Sequence, residues 1–250
     1  ISEVVEEVVH NVCVSYNVGS PYVGHHTQPL IYTVMRDSFD YLLVTRAEQF
    51  GAVVIDGQEA RQIQTNADWV EISTAEGIFR SRIVAGADGA YSIVARKLGM
   101  RGNMGYIVAI GTELAVPKEE LAKWKSRAEI DLGCIPGGYA WVFPKHDHLS
   151  IGAGCLSSKA RSLKRCYQEF LSSLSISNYT VIRSSSYLMP TCRRKAVVFQ
   201  DRVVLLGDAA GFVDPLSGEG IYNAIQSAQL AAPVIENSLV KGKMELQDYQ

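Results

Sequence analysis

Between Val203 and Ala232 the chain reads VVLLGDAAGFVDPLSGEGIYNAIQSAQLAA, and no other segment limits the fold as strongly. The apolar run at its start has strand length and ends at glycine, which marks a buried strand. Gly207-Asp208 then puts a carboxylate at the carboxyl edge of a sheet, where open α/β sheets bind ligands. A loop with glycine and proline follows, and then a long helix over 219–232. Its first turn lies at Gly218-Glu219-Gly220-Ile221. A helix amino terminus offers unpaired N–H groups and a positive dipole end. The N–H groups of Gly218, Gly220 and Ile221 could therefore face an electron-rich ring. Asp208 could accept a charge-assisted hydrogen bond from a hydroxylated chain. Gly207, Ala209 and Gly211 let the backbone approach closely. Pro215 would set the loop angle and could lie over a ring face. An ordinary strand–loop–helix crossover is the plainer reading, but acid, glycines and proline in this order favour a ligand. Glu219 is at least as well explained as a first-turn acid that steadies the helix.

Three further segments carry a pattern. Ile83 to Gly99, IVAGADGAYSIVARKLG, is again strand, turn and helix, with Asp88-Gly89 at the strand end and Ser92 at the helix start. Met35-Arg36-Asp37-Ser38-Phe39-Asp40 leads into a helix over 37–50, where Phe39, Leu42, Leu43, Ala47 and Phe50 recur at helical spacing and Gly51 closes it. In IPGGYAWVFPKHDHLSIGAG, from Ile135 to Gly154, Tyr139, Trp141 and Phe143 alternate along one strand and so share a face. Pro136-Gly137-Gly138 before them and Pro144 after them frame that face. Such a row is either core packing or a wall, and an aromatic wall suits a long apolar ligand.

Composition excludes several classes. The 250 residues are 47% hydrophobic and 20% charged, enough for one or two domains with a core. A net charge of −2 and the lack of a basic run argue against nucleic acid or another polyanion as partner. Cys13, Cys134, Cys155, Cys166 and Cys192 are scattered without a C-x-x-C, which fits reduced thiols in a cytoplasmic setting and not an iron–sulfur cluster. No apolar run approaches the ~18 residues of a spanning helix, so membrane contact is peripheral at most. His146-Asp147-His148 and His25-His26 read as solvated turn residues, with no metal site. Ser92 and Ser217 lack a G-x-S-x-G setting, so nucleophilic catalysis has no support.

Along the chain, residues 1–34 suggest one helix followed by strands. A meander is expected at 52–55, 60–65, 69–74 and 79–85. Strands are expected at 106–116, 128–134, 139–143, 149–155 and 179–188, and helices at 118–126 and 157–174, the latter with Ser157 as N-cap. The expected fold is α/β, α+β overall. A Rossmann-like domain over 1–100 and 190–250 is interrupted by a mostly antiparallel sheet domain with helices over 101–189. No G-x-G-x-x-G follows a strand, and Gly152-Ala153-Gly154 lacks the third glycine. The Rossmann-like domain is therefore expected to be incomplete, lacking a preceding βαβ unit of about 30 residues or more that would hold a pyrophosphate.

GDAAGFVDPLSGEGI resembles the GD-type flavin motif of the FAD superfamily that includes aromatic hydroxylases, halogenases and geranylgeranyl reductases. IVAGADGAYSIVARKLG resembles its DG motif, and Met35 to Asp40 is similar to its Arg-x-x-Phe-Asp helix start. The Ile135 to Gly154 segment resembles the Tyr-x-Trp-x-Phe-Pro hairpin of the geranylgeranyl reductase branch. The resemblance spans nearly the whole chain in order. It implies FAD as cofactor, with NADPH or a reduced electron carrier as donor. It implies cofactor contacts at Arg36, Asp88, Gly89, Gly207, Asp208, Ala209, Gly211, Pro215, Gly218, Gly220 and Ile221. Tyr139, Trp141, Phe143 and Pro144 would then meet a prenyl substrate. The implied reaction saturates carbon–carbon double bonds of a geranylgeranyl chain in a lipid or pigment precursor, in the cytoplasm or at a membrane surface. No residue stands out as catalytic proton donor. A flavin monooxygenase or halogenase, an electron-transfer flavoprotein–quinone oxidoreductase relative and a non-catalytic lipid binder are the alternatives.

Overall fold

The computed structural model describes residues 2–102, 104–192 and 197–249. After a 3-10 turn the chain forms β1 (Val5–Val9), β2 (Asn11–Tyr16), β3 (Tyr22–His25) and β4 (Ile31–Val34). The helix expected within 1–34 is absent from the described residues. Cys13 and Ser15 are buried while Val12 and Val14 are half-buried, a period of two that belongs to strands. Next come α1 (Arg36–Gln49), β5 (Gln62–Thr65), β6 (Val70–Ser73), β7 (Ile78–Ser81), β8 (Val84–Gly86) and α2 (Ile93–Lys97). Residues 52–55, expected as a strand, form none. The middle of the chain holds β9 (Met104–Ala115), α3 (Lys118–Ala122), β10 (Arg127–Leu132), β11 (Gly138–Pro144), β12 (Leu149–Leu156), α4 (Leu163–Ser173) and β13 (Thr180–Cys192). Residues Ser157–Ser162 are 3-10 rather than α-helical, so Ser157 caps no α-helix. The last elements are β14 (Phe199–Gln200), β15 (Val203–Leu205) and α5 (Ile221–Lys241). α5 runs through Pro233, because a proline removes one amide donor and a long helix survives that loss.

The chain divides into two compact units, Ile1–Val54 with Val108–Tyr187, and Ile55–Ile107 with Leu188–Gln250. This grouping differs from the expected one over residues 1–54. β2 pairs in parallel with β10, from Asn11↔Arg127 to Tyr16↔Leu132, and this draws the start of the chain into the large sheet. Periodicity marks a strand but not its partner.

The first unit is built on a seven-stranded sheet in the order β13-β9-β12-β11-β10-β2-β3. α4 presents Leu163, Cys166, Tyr167 and Phe170 at helical spacing, all buried. They meet Leu149, Ile151 and Ala153 of β12 and Ala140 and Val142 of β11. Full burial of each such Leu, Ile or Phe contributes about 1.5–3 kcal/mol. The second unit holds two three-stranded sheets, β14-β15-β8 and β5-β6-β7. Val203, Val204 and Leu205 of β15 are fully buried, as a strand covered on both faces must be.

Candidate functional site

In the second unit β15 and β8 run parallel, with Val203↔Val84 and Leu205↔Gly86 in register. The two sequence motifs therefore end side by side, with Asp88 and Asp208 just past the carboxyl ends of neighbouring strands. A Cβ on Gly86 would lie 2.8 Å from Leu205 Cδ2 and 2.9 Å from Val94 Cγ1, so the glycine lets α2 settle on the sheet. Asp88 Oδ2 accepts from the Ile93 N–H at 2.6 Å and the Val94 N–H at 3.1 Å. Ser92 Oγ accepts from the Ala95 N–H at 2.9 Å. One Asp88 oxygen thus caps α2, a local duty beside any ligand contact.

Gly207 has a left-handed φ of +53°, and a Cβ there would lie 2.9 Å from Ala224 Cβ on α5. Its N–H donates to Ser227 Oγ at 3.0 Å, and that hydroxyl donates to Ala224 O at 2.7 Å. The strand end is seated on α5 by glycine, alanine and a buried serine. Beyond it the loop closes on itself. Asp214 Oδ1 accepts from the Leu216 and Ser217 amides and from Ser217 Oγ at 2.7–3.1 Å. The Ser217 amide, foremost among these donors, holds the Asp214 carboxyl below the usual carboxylate range. Gly218 N–H donates to Asp214 O at 3.0 Å, so it turns into the loop and not toward a ligand as expected. Glu219 Oε1 accepts from the Tyr222 N–H at 2.8 Å and serves the helix, its plainer role. Pro215 is exposed on the loop, and Gly211, at φ +77°, ends the turn that carries Ala209. At the start of α5 a Cβ on Gly220 would stand 3.4 Å from Asp208 Oδ1. Half-buried Asp208 and Gly220 and exposed Ile221 are therefore brought together, with no side chain at 220 to shield the carboxylate.

The remaining expected residues lie in the first unit. On β11, Ala140, Val142 and Pro144 are buried, whereas Tyr139, Trp141 and Phe143 are half-exposed on the opposite face. Their ring centroids are 5.8 and 6.4 Å apart in sequence order. The aromatic row is a half-exposed face of the sheet, opposite the core. Pro144 is not part of it, since it points to the core side and its carbonyl accepts from Thr33 Oγ1 at 2.8 Å. The Trp141 indole rests on β12, where a Cβ at Gly152 would overlap it and one at Gly154 would lie 3.6 Å away. Across β10, Ile130 pairs with Trp141 and Leu132 with Tyr139. Val14 and Tyr16 of β2 continue the row, and Tyr22 of β3 pairs with Val14. Arg36 opens α1 and makes a two-pronged pair with Asp40 at 3.0–3.1 Å on the surface.

A family model described as FAD binding domain matches residues 6–248. The chain belongs to the FAD binding domain family. Asp208 with Gly220 and the amino end of α5 fits such a cofactor: a carboxylate for ribityl hydroxyls beside small residues at a helix start. The chain is 32% identical over 239 residues to the chloroplastic geranylgeranyl diphosphate reductase of Nicotiana tabacum, covering 88% of this chain and 51% of that protein. It is 28% identical over 218 residues to the digeranylgeranylglycerophospholipid reductase of Methanocaldococcus jannaschii, covering 83% of this chain and 56% of that protein. The chain thus spans about half the length of these curated relatives. Its fold is that of a geranylgeranyl bacteriochlorophyll reductase-like protein of Thermoplasma acidophilum, with a TM-score of 0.86, 23% identity, and coverage of 100% of this chain and 67% of that one.

Sequence reasoning missed several residues of this FAD binding domain. Asp214 holds the loop, and only the Asp-Pro dipeptide hinted at a turn there. Asn223 Nδ2 donates to Phe212 O at 2.8 Å and ties the loop to α5. His148, expected to be solvated, is only 6% exposed. The tight turn, closed by Lys145 N–H to His148 O at 2.9 Å, folds the imidazole back toward Glu113 of β9. No local signal reveals a partner on a distant strand.

Proposed function

We propose that the full-length protein is an FAD-dependent reductase that saturates carbon–carbon double bonds of a prenyl chain on a lipid or pigment precursor. The exposed aromatic face carries this reading. It runs from β12 to β3, across five neighbouring strands, and strands stand about 4.8 Å apart, so the face spans roughly 20 Å of apolar surface. An extended isoprenoid needs such a length, and aromatic rings supply it with large apolar area. The names of the plant and archaeal relatives support the same reading.

When bound, FAD supplies the hydride, after reduction by NADPH or a small electron carrier. Asp208 orients the ribityl chain through its carboxylate. The amino end of α5 favours negative charge beside it and so eases reduction of the ring. Trp141 and its neighbours bind the chain and keep water from it. No helix among the described residues is long and apolar enough to cross a membrane. A lipid substrate would be met at the membrane surface.

The test is to incubate the full-length protein with FAD, a reductant and geranylgeranyl diphosphate or an unsaturated archaeal-type phospholipid. Mass spectrometry should show two hydrogens gained per bond reduced. Oxygen insertion with NADPH consumption would favour a monooxygenase, and the absence of flavin absorbance would sink the proposal.

A further inference from the structure

The first unit carries a chain of charged groups, running from the surface to the interior, that neither FAD nor prenyl binding requires. His148 Nε2 lies 3.0 Å from Glu113 Oε2, somewhat off line for a hydrogen bond. Nδ1 lies 2.7 Å from Asp147 Oδ1. Glu113 Oε1 accepts from Ser150 Oγ at 3.0 Å. The Asp147 side chain is 78% exposed, whereas those of His148 and Glu113 are 8% and 19% exposed. Glu113 and Ser150 line a cavity of about 200 Å³ with Arg36, Lys145, Arg183 and Tyr187. The order is therefore solvent, carboxylate, imidazole, carboxylate, cavity.

The charges around this chain fix its resting state. The bond to Glu113 raises the His148 pKa, burial opposes it, and Asp147 adds to the rise. Burial pushes Glu113 up, but His148, Ser150 and Lys145 together bring it below the usual carboxylate range. Lys145 is itself desolvated, which lowers its pKa against the pull of Glu113 and Glu6, and its Nζ donates to Val34 O at 2.6 Å. His146 acts on Asp147 from the same turn, and Tyr167 of α4 feels the charge of Glu113. A cation held between two carboxylates results. An ion pair that only pins the hairpin to β9 needs neither a solvent-exposed acid on the outer nitrogen nor an inner acid open to a cavity.

We propose that Asp147, His148 and Glu113 relay protons from solvent into this cavity, where Glu113 protonates the bound substrate. The role of Glu113 rests on the proposed prenyl reduction. The His148 imidazolium would first pass its Nε2 proton to Glu113. With reduced FAD, when bound, supplying hydride for one C–H bond, the alkene π electrons would take that proton from Glu113 on the neighbouring carbon. The flavin is oxidised and the double bond is saturated. Glu113 is left as the carboxylate it is at rest, and the neutral His148 ring is recharged from water between turnovers with Asp147 as the entry group.

The test uses the FAD-loaded full-length protein. Glu113→Gln should lower kcat about 100-fold, within the range for loss of a general acid. His148→Ala should lower it about tenfold or more with KM unchanged, and added imidazole should restore part of it. Wild-type kcat should fall as pH rises through the His148 pKa, and His148→Ala should lose that limb. Exposed Asp147→Asn, which leaves the core intact, should slow exchange of the His148 ring N–H protons with water about tenfold by NMR, as expected if the entry group is lost. A folded His148→Ala with near-normal kcat, or one that imidazole does not rescue, overturns the relay. So does unchanged ring-proton exchange in Asp147→Asn. If the wild type reduces no prenyl chain, the reductase reading fails on its own, and the exchange measurement still decides the relay.

Discussion

The turn after β15 and the turn between β11 and β12 use similar residues in opposite ways. The first follows a fully buried strand and the second a strand buried on one face, and both mix glycine or proline with acids. In the first, polar contacts are mostly local. Asp214 serves residues 216–218, and Glu219 serves Tyr222. In the second they reach across the unit. His148 meets Glu113, Lys145 meets Val34, and the His146 N–H donates to Glu6 Oε2 at 3.2 Å. A local site holds its geometry through backbone conformation. A long-range site holds it through side-chain pairs, and so it responds to pH and to single deletions.

The largest expected effect breaks the first turn. Gly207→Val places a branched side chain against Ala224 at a left-handed φ and should cost about 3–4 kcal/mol. The urea midpoint should fall and FAD should be lost. A stable, FAD-loaded variant would show that the turn is not rigid.

The second turn should fail through charge. His148→Leu leaves Glu113 buried without its partner and should cost about 3 kcal/mol near neutral pH. The wild type carries the matching pH signature. His148 is raised in the fold, so its contribution is complete below the unfolded value of 6.5 and is lost as pH rises through the raised value. Glu113 is lowered, so its contribution is present above the unfolded value of 4.5 and is lost as pH falls through the lowered value. Thermal melts from about pH 4 to about pH 9 should peak between the two. A flat profile would remove the contrast between the turns.

Asp208→Ala should weaken FAD binding about 10–100-fold, or roughly 1.4–2.8 kcal/mol, with little change in the unfolding midpoint. Flavin fluorescence titration measures it. Trp141→Ala should raise KM for a prenyl substrate about tenfold while stability changes by about 1 kcal/mol, because the ring is half-exposed. Ser92→Ala removes one cap bond of α2 and should cost only about 1 kcal/mol in a denaturant titration.

The same contrast explains what the sequence revealed. Strand, glycine turn and helix start at 203–221 are encoded within a few residues, and so are α1 and the Ser92 cap. The alternation at 139–143 established a shared face, but whether that face was core or wall depended on α4, which covers the other side. Within 1–34, β1 pairs with β4 and β2 with β3, but β2 also pairs with β10 more than a hundred residues away, and no local signal announces that partner. Asp131 shows the cost of such distance. It is fully buried and accepts from Ser15 Oγ at 2.6 Å and the Val18 N–H at 2.7 Å, yet nothing near it in the chain announces a buried acid. Burial pushes its carboxyl up, and donors from Cys134, Ser15 and Val18 bring it below the usual range. The commitments of Gly218 and Pro144 were likewise hidden, since spacing does not say which way an amide or a ring faces.

Gly152 and Gly154 under the Trp141 indole have one more consequence. A ring lying on bare backbone sits low, and on the β12 side the floor carries no side chain at 152 or 154. A methyl-branched chain could slide along such a floor by one isoprene unit without lifting off. If the proposed prenyl reduction holds, successive reductions would then proceed by translation within one encounter, and with excess reductant the early product distribution should show fully saturated chains before partly saturated ones are released.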